Sequence, residues 1–230
     1  MPLAIITGAS RGLGLALARA LAQRDWALVL DARGAPDLER VGRELGAITE
    51  VAAIPGDVTD SHHRRALVHA AGETVDLLVN NASVLGPSPQ PALADYSLQE
   101  LERVYRANVL APLALAQLSL PRIPDGGRII NVTSDAAVEP YEGWGGYGSS
   151  KAALDQISAI LGAEHPAIRV YAVDPGDMRT QLHQEAFPGE DISDRPAPED
   201  SVPGLLALIE GEYPSGRYRA RELTHDRTGV

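Results

Sequence analysis

LAIITGASRGLG, Leu3 to Gly14, is the stretch that decides the fold. Its first part, Leu3 to Thr7, is a short apolar run that reads as a strand. From Gly12 the period changes. Leu13, Ala16, Leu17, Ala20 and Leu21 lie on one stripe of a helix that runs to Gln23. Between the two stand Gly8, Ser10, Arg11, Gly12, Leu13 and Gly14. A strand-to-helix turn that must bend tightly, admit a pyrophosphate to its backbone and pack its helix closely needs glycine at each such point. The helix that opens here offers free N–H groups and the positive end of its dipole to a phosphate. A glycine-rich turn without a ligand is the other reading. The position directly after the first strand of a βαβ unit favours nucleotide binding.

The alternation continues outward. Apolar runs recur at Trp26 to Leu30, Ile48 to Ile54, Val75 to Val79, Gly127 to Val132 and Ile168 to Val173, and a seventh begins at Tyr218. Helix-period segments fall between them at Asp37 to Leu45, His62 to Ala71, Ser97 to Leu120, Tyr147 to Gly162 and Pro198 to Glu210. Pro112 should kink or shift the helix Ser97–Leu120. Strands apolar on both faces, each followed by a helix, imply an α/β fold. It is a doubly wound, Rossmann-type, mostly parallel sheet of six to seven strands with helices on both faces. The expected organisation is one dinucleotide-binding and catalytic domain over residues 1–230. Ligands should bind at the carboxyl ends of the strands.

Composition narrows the function. The chain has 230 residues and no cysteine, which removes disulfides, thiolate metal sites and a cysteine nucleophile. No His cluster has ligand spacing, so no metal site is expected. A net charge of −11 argues against nucleic acid or an anionic membrane as partner. No apolar run approaches the ~20 residues of a membrane span, and MPLAIITGAS has no basic n-region. A cytoplasmic location is the expectation.

The spacing T-G-x-x-x-G-x-G, Thr7 to Gly14, resembles the short-chain dehydrogenase/reductase family, and the resemblance extends to Thr180. Asp57-Val58 is similar to the family's pair beside the adenine ring. Asn80-Asn81-Ala82-Ser83 resembles its N-N-A-G motif, with Ser83 where the family has glycine. Asn108 matches its helix asparagine, and Ser134 precedes Tyr147 at the family's spacing. Tyr147-x-x-x-Lys151 matches its catalytic pair. Pro175-Gly176 and Thr180 match its P-G-x-x-x-T segment. The resemblance implies hydride transfer between a nicotinamide and a carbonyl or alcohol. Gly8, Ser10, Arg11, Gly12, Leu13, Gly14, Arg33, Asp57, Val58, Asn81, Ala82, Tyr147, Lys151, Pro175, Gly176, Met178 and Thr180 would hold the cofactor.

The residue types suit that chemistry. Lys151 is the only lysine in the chain. It stands one helical turn after Tyr147 and shares its face. A phenol titrates near ~10, and a neighbouring ammonium should lower that value towards the working pH. Lysine also brings three donors on a flexible stem, enough to hold ribose hydroxyls. Ser134 would steady charge on the substrate oxygen, or else cap a turn at a strand end. For Asn108 two readings stand. The resemblance implies a relay water linking Lys151 to solvent, and the plain alternative is a polar residue satisfying backbone at a helix irregularity near Pro112.

In LDARG, Leu30 to Gly34, the family's acidic position falls on Ala32 and its NADP arginine on Arg33. Arg33 and Arg11 should converge on a 2′-phosphate, so NADP(H) is favoured over NAD(H). The alternative is that Asp31 binds the ribose of NAD(H). Tyr141, Trp144 and Leu182 are candidate substrate contacts, and residues 177–200 read as a flap over the cofactor. His183 could reach the pocket, but a lone loop histidine is more often a solvated one. Glu142–Trp144 and Val79–Gly86 are similar to sepiapterin-type reductases over short stretches only, which names no substrate. The expected partners are a small carbonyl or alcohol and a second copy of the chain, through 97–120 and the helix from 147. A tetramer is the alternative expectation, with one built on a longer C-terminal extension in doubt because the chain stops soon after its last expected strand. The rival functions are an NADP(H)-binding sensor or scaffold with little turnover, and an NAD-dependent alcohol dehydrogenase.

Overall fold

Alternating side chains on each strand go to opposite faces of a sheet, and this chain buries both. In the computed structural model, which describes residues 1–223, the strands are β1 (Leu3–Ile6), β2 (Ala27–Ala32), β3 (Val51–Pro55), β4 (Leu77–Asn80), β5 (Arg128–Val132), β6 (Arg169–Asp174) and β7 (Gly216–Arg219). They form one sheet in the order β3-β2-β1-β4-β5-β6-β7, and every pairing is parallel. The helices are α1 (Gly12–Ala22), α2 (Ala35–Leu45), α3 (Ser61–Ala70), α4 (Leu98–Tyr105), α5 (Ala111–Ser119), α6 (Gly145–Glu164), α7 (Gln181–Ala186) and α8 (Val202–Glu210). This is the doubly wound architecture expected from the sequence.

On one face Ala4, Ile6, Leu28, Leu30, Val79 and Ile130 pack under Leu13, Leu17 and Leu21 of α1, Leu38 of α2, and Leu205 of α8. On the other, Ile5, Val29, Leu78, Ile129 and Val170 meet Leu67 of α3, Leu115 of α5 and Leu161 of α6. Each fully buried leucine or isoleucine contributes about 1.5–3 kcal/mol of transfer free energy, so the two layers hold the sheet rigid beneath its loops. Strand order reverses between β1 and β4, and their carboxyl ends open a crevice there.

Several boundaries move by a few residues. The strand expected from Ile48 begins at Val51, and Ile48 is exposed in a turn. The helix expected from Asp37 begins at Ala35, with Pro36 in its first turn, where the ring's fixed φ suits a helix start. The one long helix expected over Ser97–Leu120, kinked or shifted at Pro112, is broken into four pieces. Arg106–Leu110 is a π-helical turn between α4 and α5, and Leu120–Arg122 is a 3-10 turn. Pro112 has no N–H to donate to the carbonyl of Asn108, so the α ladder is interrupted at that point.

Residues 177–200 are not a bare loop. They contain α7, started by Thr180, whose side chain accepts from the His183 N–H. The Arg179 N–H donates to the Pro196 carbonyl at 2.8 Å and the Ser88 hydroxyl to the Glu185 carbonyl at 2.6 Å. Among the described residues no helix is long and apolar enough to cross a membrane.

Candidate active site

The glycine turn is tied to its neighbour by side chains that its motif supplies. Thr7 Oγ1 accepts from the N–H groups of Asn81 and Ala82, both at 3.0 Å. Asn81 Nδ2 donates back to the carbonyls of Thr7 at 2.8 Å and Gly8 at 3.1 Å. Gly8 and Gly12 have φ of +66° and +55°, a region that L side chains rarely adopt. At Gly14 the need is closeness: a Cβ would fall 2.4 Å from the Gly8 carbonyl oxygen. α1 begins without an acidic residue in its first turn and without a side-chain cap, so its first N–H groups are open.

Those N–H groups face a cavity of about 1080 Å³ at the strand ends. Gly8, Ser10, Arg11, Gly12, Leu13, Arg33, Asp57, Val58, Asn81, Ala82, Pro175, Gly176, Met178 and Thr180 line it, as do Ser134, Tyr147 and Lys151. Gly14 lies behind the turn and Asn108 behind the wall. The open helix end, the glycine backbone and this volume fit a dinucleotide.

Asp31 is 1% exposed at the end of β2, with its carboxylate 2.6 Å from His63 Nε2. Burial pushes its pKa up to about 6, opposed by His63 and by the Gly8 N–H. The carboxylate is thus spent on α3 and the glycine turn. Arg33 lines the cavity next to it and acts electrostatically on Asp57. Burial opposes ionisation of Asp57, but Thr59 hydrogen bonds and the charges of Arg33 and His63 outweigh it and hold the carboxyl below its usual range. Arg11 and Arg33 both line the cavity, and Arg11 donates to Gln181 on α7. A side-chain amide within reach decided its direction.

At the other end, Tyr147 and Lys151 project from α6 and are 5% and 2% exposed. Lys151 Nζ donates to the Val132 carbonyl at 2.7 Å and lies 5.4 Å above the Tyr147 ring centroid. Burial lowers the Lys151 pKa to about 8, with Asp155 opposing. The Tyr147 phenol is pushed up, not down as the spacing suggested. Burial is the main cause, Asp135 and Asp174 add to it, and the hydroxyls of Ser83 and Ser134 pull the other way. The ammonium sits over the ring and is held by Val132, so burial dominates.

Ser134 is both cavity wall and turn cap. Its hydroxyl accepts from the Ala136 N–H at 3.2 Å and donates to Asp135 Oδ1 at 2.8 Å. For Asn108, the plain alternative is what the side chain does. Oδ1 accepts from the Val84 N–H at 2.9 Å and the Ser83 hydroxyl at 3.1 Å, and Nδ2 donates to the Val84 carbonyl at 2.9 Å and Ser150 at 3.0 Å. All four of its hydrogen-bonding positions are filled by protein.

Trp144 and Leu182 line the cavity beside Leu85, Tyr147 and Ala186. Tyr141 does not line it. It is 47% exposed, because its hydroxyl turns to Asp135 Oδ2 at 3.0 Å and its ring edge to Trp144. His183 lines the cavity rather than standing out in solvent. Its side chain is 11% exposed and its ring lies 4.9 Å from that of Phe187. The sequence reading missed Arg217, which donates to the Ser134 carbonyl at 2.9 Å and to Asp155 at 2.9 Å and lies 3.5 Å from Asp174. No local pattern marks it, since β7 reaches the site only by sheet pairing.

With this geometry in view, the comparisons with known proteins place the chain. The short chain dehydrogenase family model matches residues 2–191, and the chain belongs to that family. It is 32% identical to the benzil reductase ((S)-benzoin forming) of Saccharomyces cerevisiae, over 91% of this chain and 81% of that one. It is 33% identical to the sepiapterin reductase of Meriones unguiculatus, over 79% and 76%. A short chain dehydrogenase structure from Escherichia coli, complexed with NADPH, superposes with a TM-score of 0.86 at 26% identity, covering 96% of each chain. The protein is an oxidoreductase of the short-chain type, with reductases among its relatives and an NADPH-complexed structure among its neighbours.

Proposed function

We propose that the chain is an NADP(H)-dependent carbonyl reductase in which Tyr147 is the general acid. The observation that carries this is the shared cavity: the open start of α1 at one end and Ser134, Tyr147 and Lys151 at the other. NADPH, when bound, supplies the hydride. Gly8, Gly12 and Leu13 hold its pyrophosphate, and Arg33 meets the 2′-phosphate. The sequestration of Asp31 by His63 supports NADP(H) over NAD(H), because a ribose hydroxyl finds no free carboxylate there. Asp57 and Val58 flank the adenine, and Pro175, Gly176, Met178 and Thr180 the nicotinamide. Lys151, with one N–H on Val132, has two left for the nicotinamide ribose.

A phenol raised by burial is fully protonated at neutral pH, which is the form a reductase needs. Ser134 donates to the substrate oxygen, and Tyr147 gives it a proton once the carbonyl carbon has received the hydride. Trp144, Leu85, Leu182 and Ala186 make the substrate end apolar and partly aromatic. A neutral ketone or diketone with an aryl substituent fits that wall, and the benzil reductase among the relatives supports the same class. Exposed Leu98, Leu110 and Ile160 support a homodimer through α4, its π turn and α6.

Tyr147→Phe is the test. NADPH oxidation with aryl ketones should fall by about 10²–10⁴-fold while NADPH affinity stays within about threefold. Unchanged turnover would remove Tyr147 from the chemistry. Lost NADPH binding in a folded variant would make the residue a cofactor contact only.

A further inference from the structure

The one lysine of this chain is buried, and among the described residues its ammonium makes no ion pair. A carboxylate nevertheless stands beside it. Asp155 follows Lys151 by one helical turn, as Lys151 follows Tyr147, so the three share a stripe of α6. A buried ammonium and a carboxylate so placed ordinarily pair. Here Asp155 turns to β7 instead. Its Oδ2 accepts from Arg217 Nε at 2.9 Å, and its Oδ1 is buried without a hydrogen-bond partner among the described residues. Arg217 is itself held on the β7 side: it donates to the Ser134 carbonyl at 2.9 Å and lies 3.5 Å from Asp174 Oδ2.

We propose that Arg217 is a positioning residue for Lys151: it draws the Asp155 carboxylate to β7 and leaves the buried ammonium unpaired, with N–H groups free for the ribose of the cofactor. The inference rests on the reading of Lys151 as the hold on that ribose. An ammonium bound to Asp155 would give up a charge-assisted hydrogen bond for each neutral hydroxyl it took. The lysine would then be spent, as Asp31 is on His63. Around Lys151, Tyr147 lies under the ammonium and β5 offers the Val132 carbonyl. Asp155 acts on Lys151 from α6, and Asp135 after β5 and Asp174 at the end of β6 act on Tyr147.

The test uses the rarity of the residue. Protein labelled with ¹³Cε-lysine gives one NMR signal, that of Lys151, and its titration needs neither cofactor nor substrate. The midpoint should lie at about pH 8. Arg217→Met should raise it by about one pH unit, as the released Asp155 turns to the ammonium. In an Asp155→Asn background the same substitution should move it by less than about 0.3 pH unit. Arg217→Gln keeps a donor for the Ser134 carbonyl and should act like Arg217→Met, which separates the effect from a loosened fold. NADPH affinity at pH 7 should fall about tenfold in Arg217→Met and recover when Asp155→Asn is added. Equal midpoints with and without the guanidinium would overturn the inference. So would a rise that persists without the Asp155 carboxylate, because Arg217 would then act on Lys151 directly. The expected midpoints with unchanged NADPH affinity would instead refute the hold of Lys151 on the ribose and leave the hold of Arg217 on Asp155 standing.

Discussion

Lys151 shows how one residue can cost the fold and serve the site. Its pKa is lowered to about 8 because α6 and β5 bury it. Between that value and the ~10.5 of an unfolded lysine, the unfolded chain holds a proton that the folded one has released. Stability from this group therefore rises with pH across that window, and below pH ~8 the full burial cost is felt. Lys151→Met removes the cost along with the bond to Val132. It should stabilise the protein at pH 7 by about 1–2 kcal/mol, an advantage that narrows between pH ~8 and ~10. Denaturant melts at pH 7 and pH 9.5 would measure this, and carbonyl turnover should be lost in the same variant. The YxxxK spacing made this pair legible in the sequence, because i and i+4 share a helix face whatever surrounds them. The direction of the Tyr147 shift was not legible. It depends on how completely β5, β6 and the loop after β4 enclose the phenol.

At the scale of elements, β7 matters more than its four residues suggest. As the edge strand it brings Arg217 to Asp155 of α6, Asp174 of β6 and the Ser134 carbonyl. Burial raises the Asp174 pKa, and Arg217 works against it. Arg217→Met would leave both carboxylates without this partner. We expect a loss of about 2 kcal/mol in denaturant stability at pH 7, below the cost of a fully buried pair because Arg217 is partly exposed. Asp174 would then titrate still higher, and its protonation would relieve the penalty. The deficit should therefore shrink from pH 7 to pH 5, and an unchanged deficit would place the cost in packing. The elements other than α7 were readable to within a few residues, since the switch between period 2 and period 3.6 is local. The helix over 97–120 was read too simply. Pro112 announced an irregularity but not its form, a π turn that sets Asn108 against the loop after β4.

For the whole molecule, ligand and fold share one equilibrium, because the cofactor cleft is lined by loops from both halves of the sheet. NADPH at about a hundred times its Kd should add about 2.7 kcal/mol, a rise in Tm of about 5–10 °C for a chain of this size. NADH should give clearly less, and Arg33→Ala should erase the difference by weakening NADPH alone. A larger shift with NADH would return the ribose to the Asp31 side and refute the NADP(H) reading. The sequence by itself determined the alternating architecture, the glycine turn and the chemical types at Ser134, Tyr147 and Lys151. Those depend on period, on glycine's missing Cβ and on short spacings, which act within a few residues. Only the tertiary structure decided that Asp31 is spent on His63, that Arg11 leans on α7, that Tyr141 turns out of the cavity, and that Ser83 and Arg217 reach the site. Apart from Tyr141, whose partners Asp135 and Trp144 lie in its own loop, each is a competition between partners distant in the chain, settled by which groups the sheet order brings within hydrogen-bonding reach.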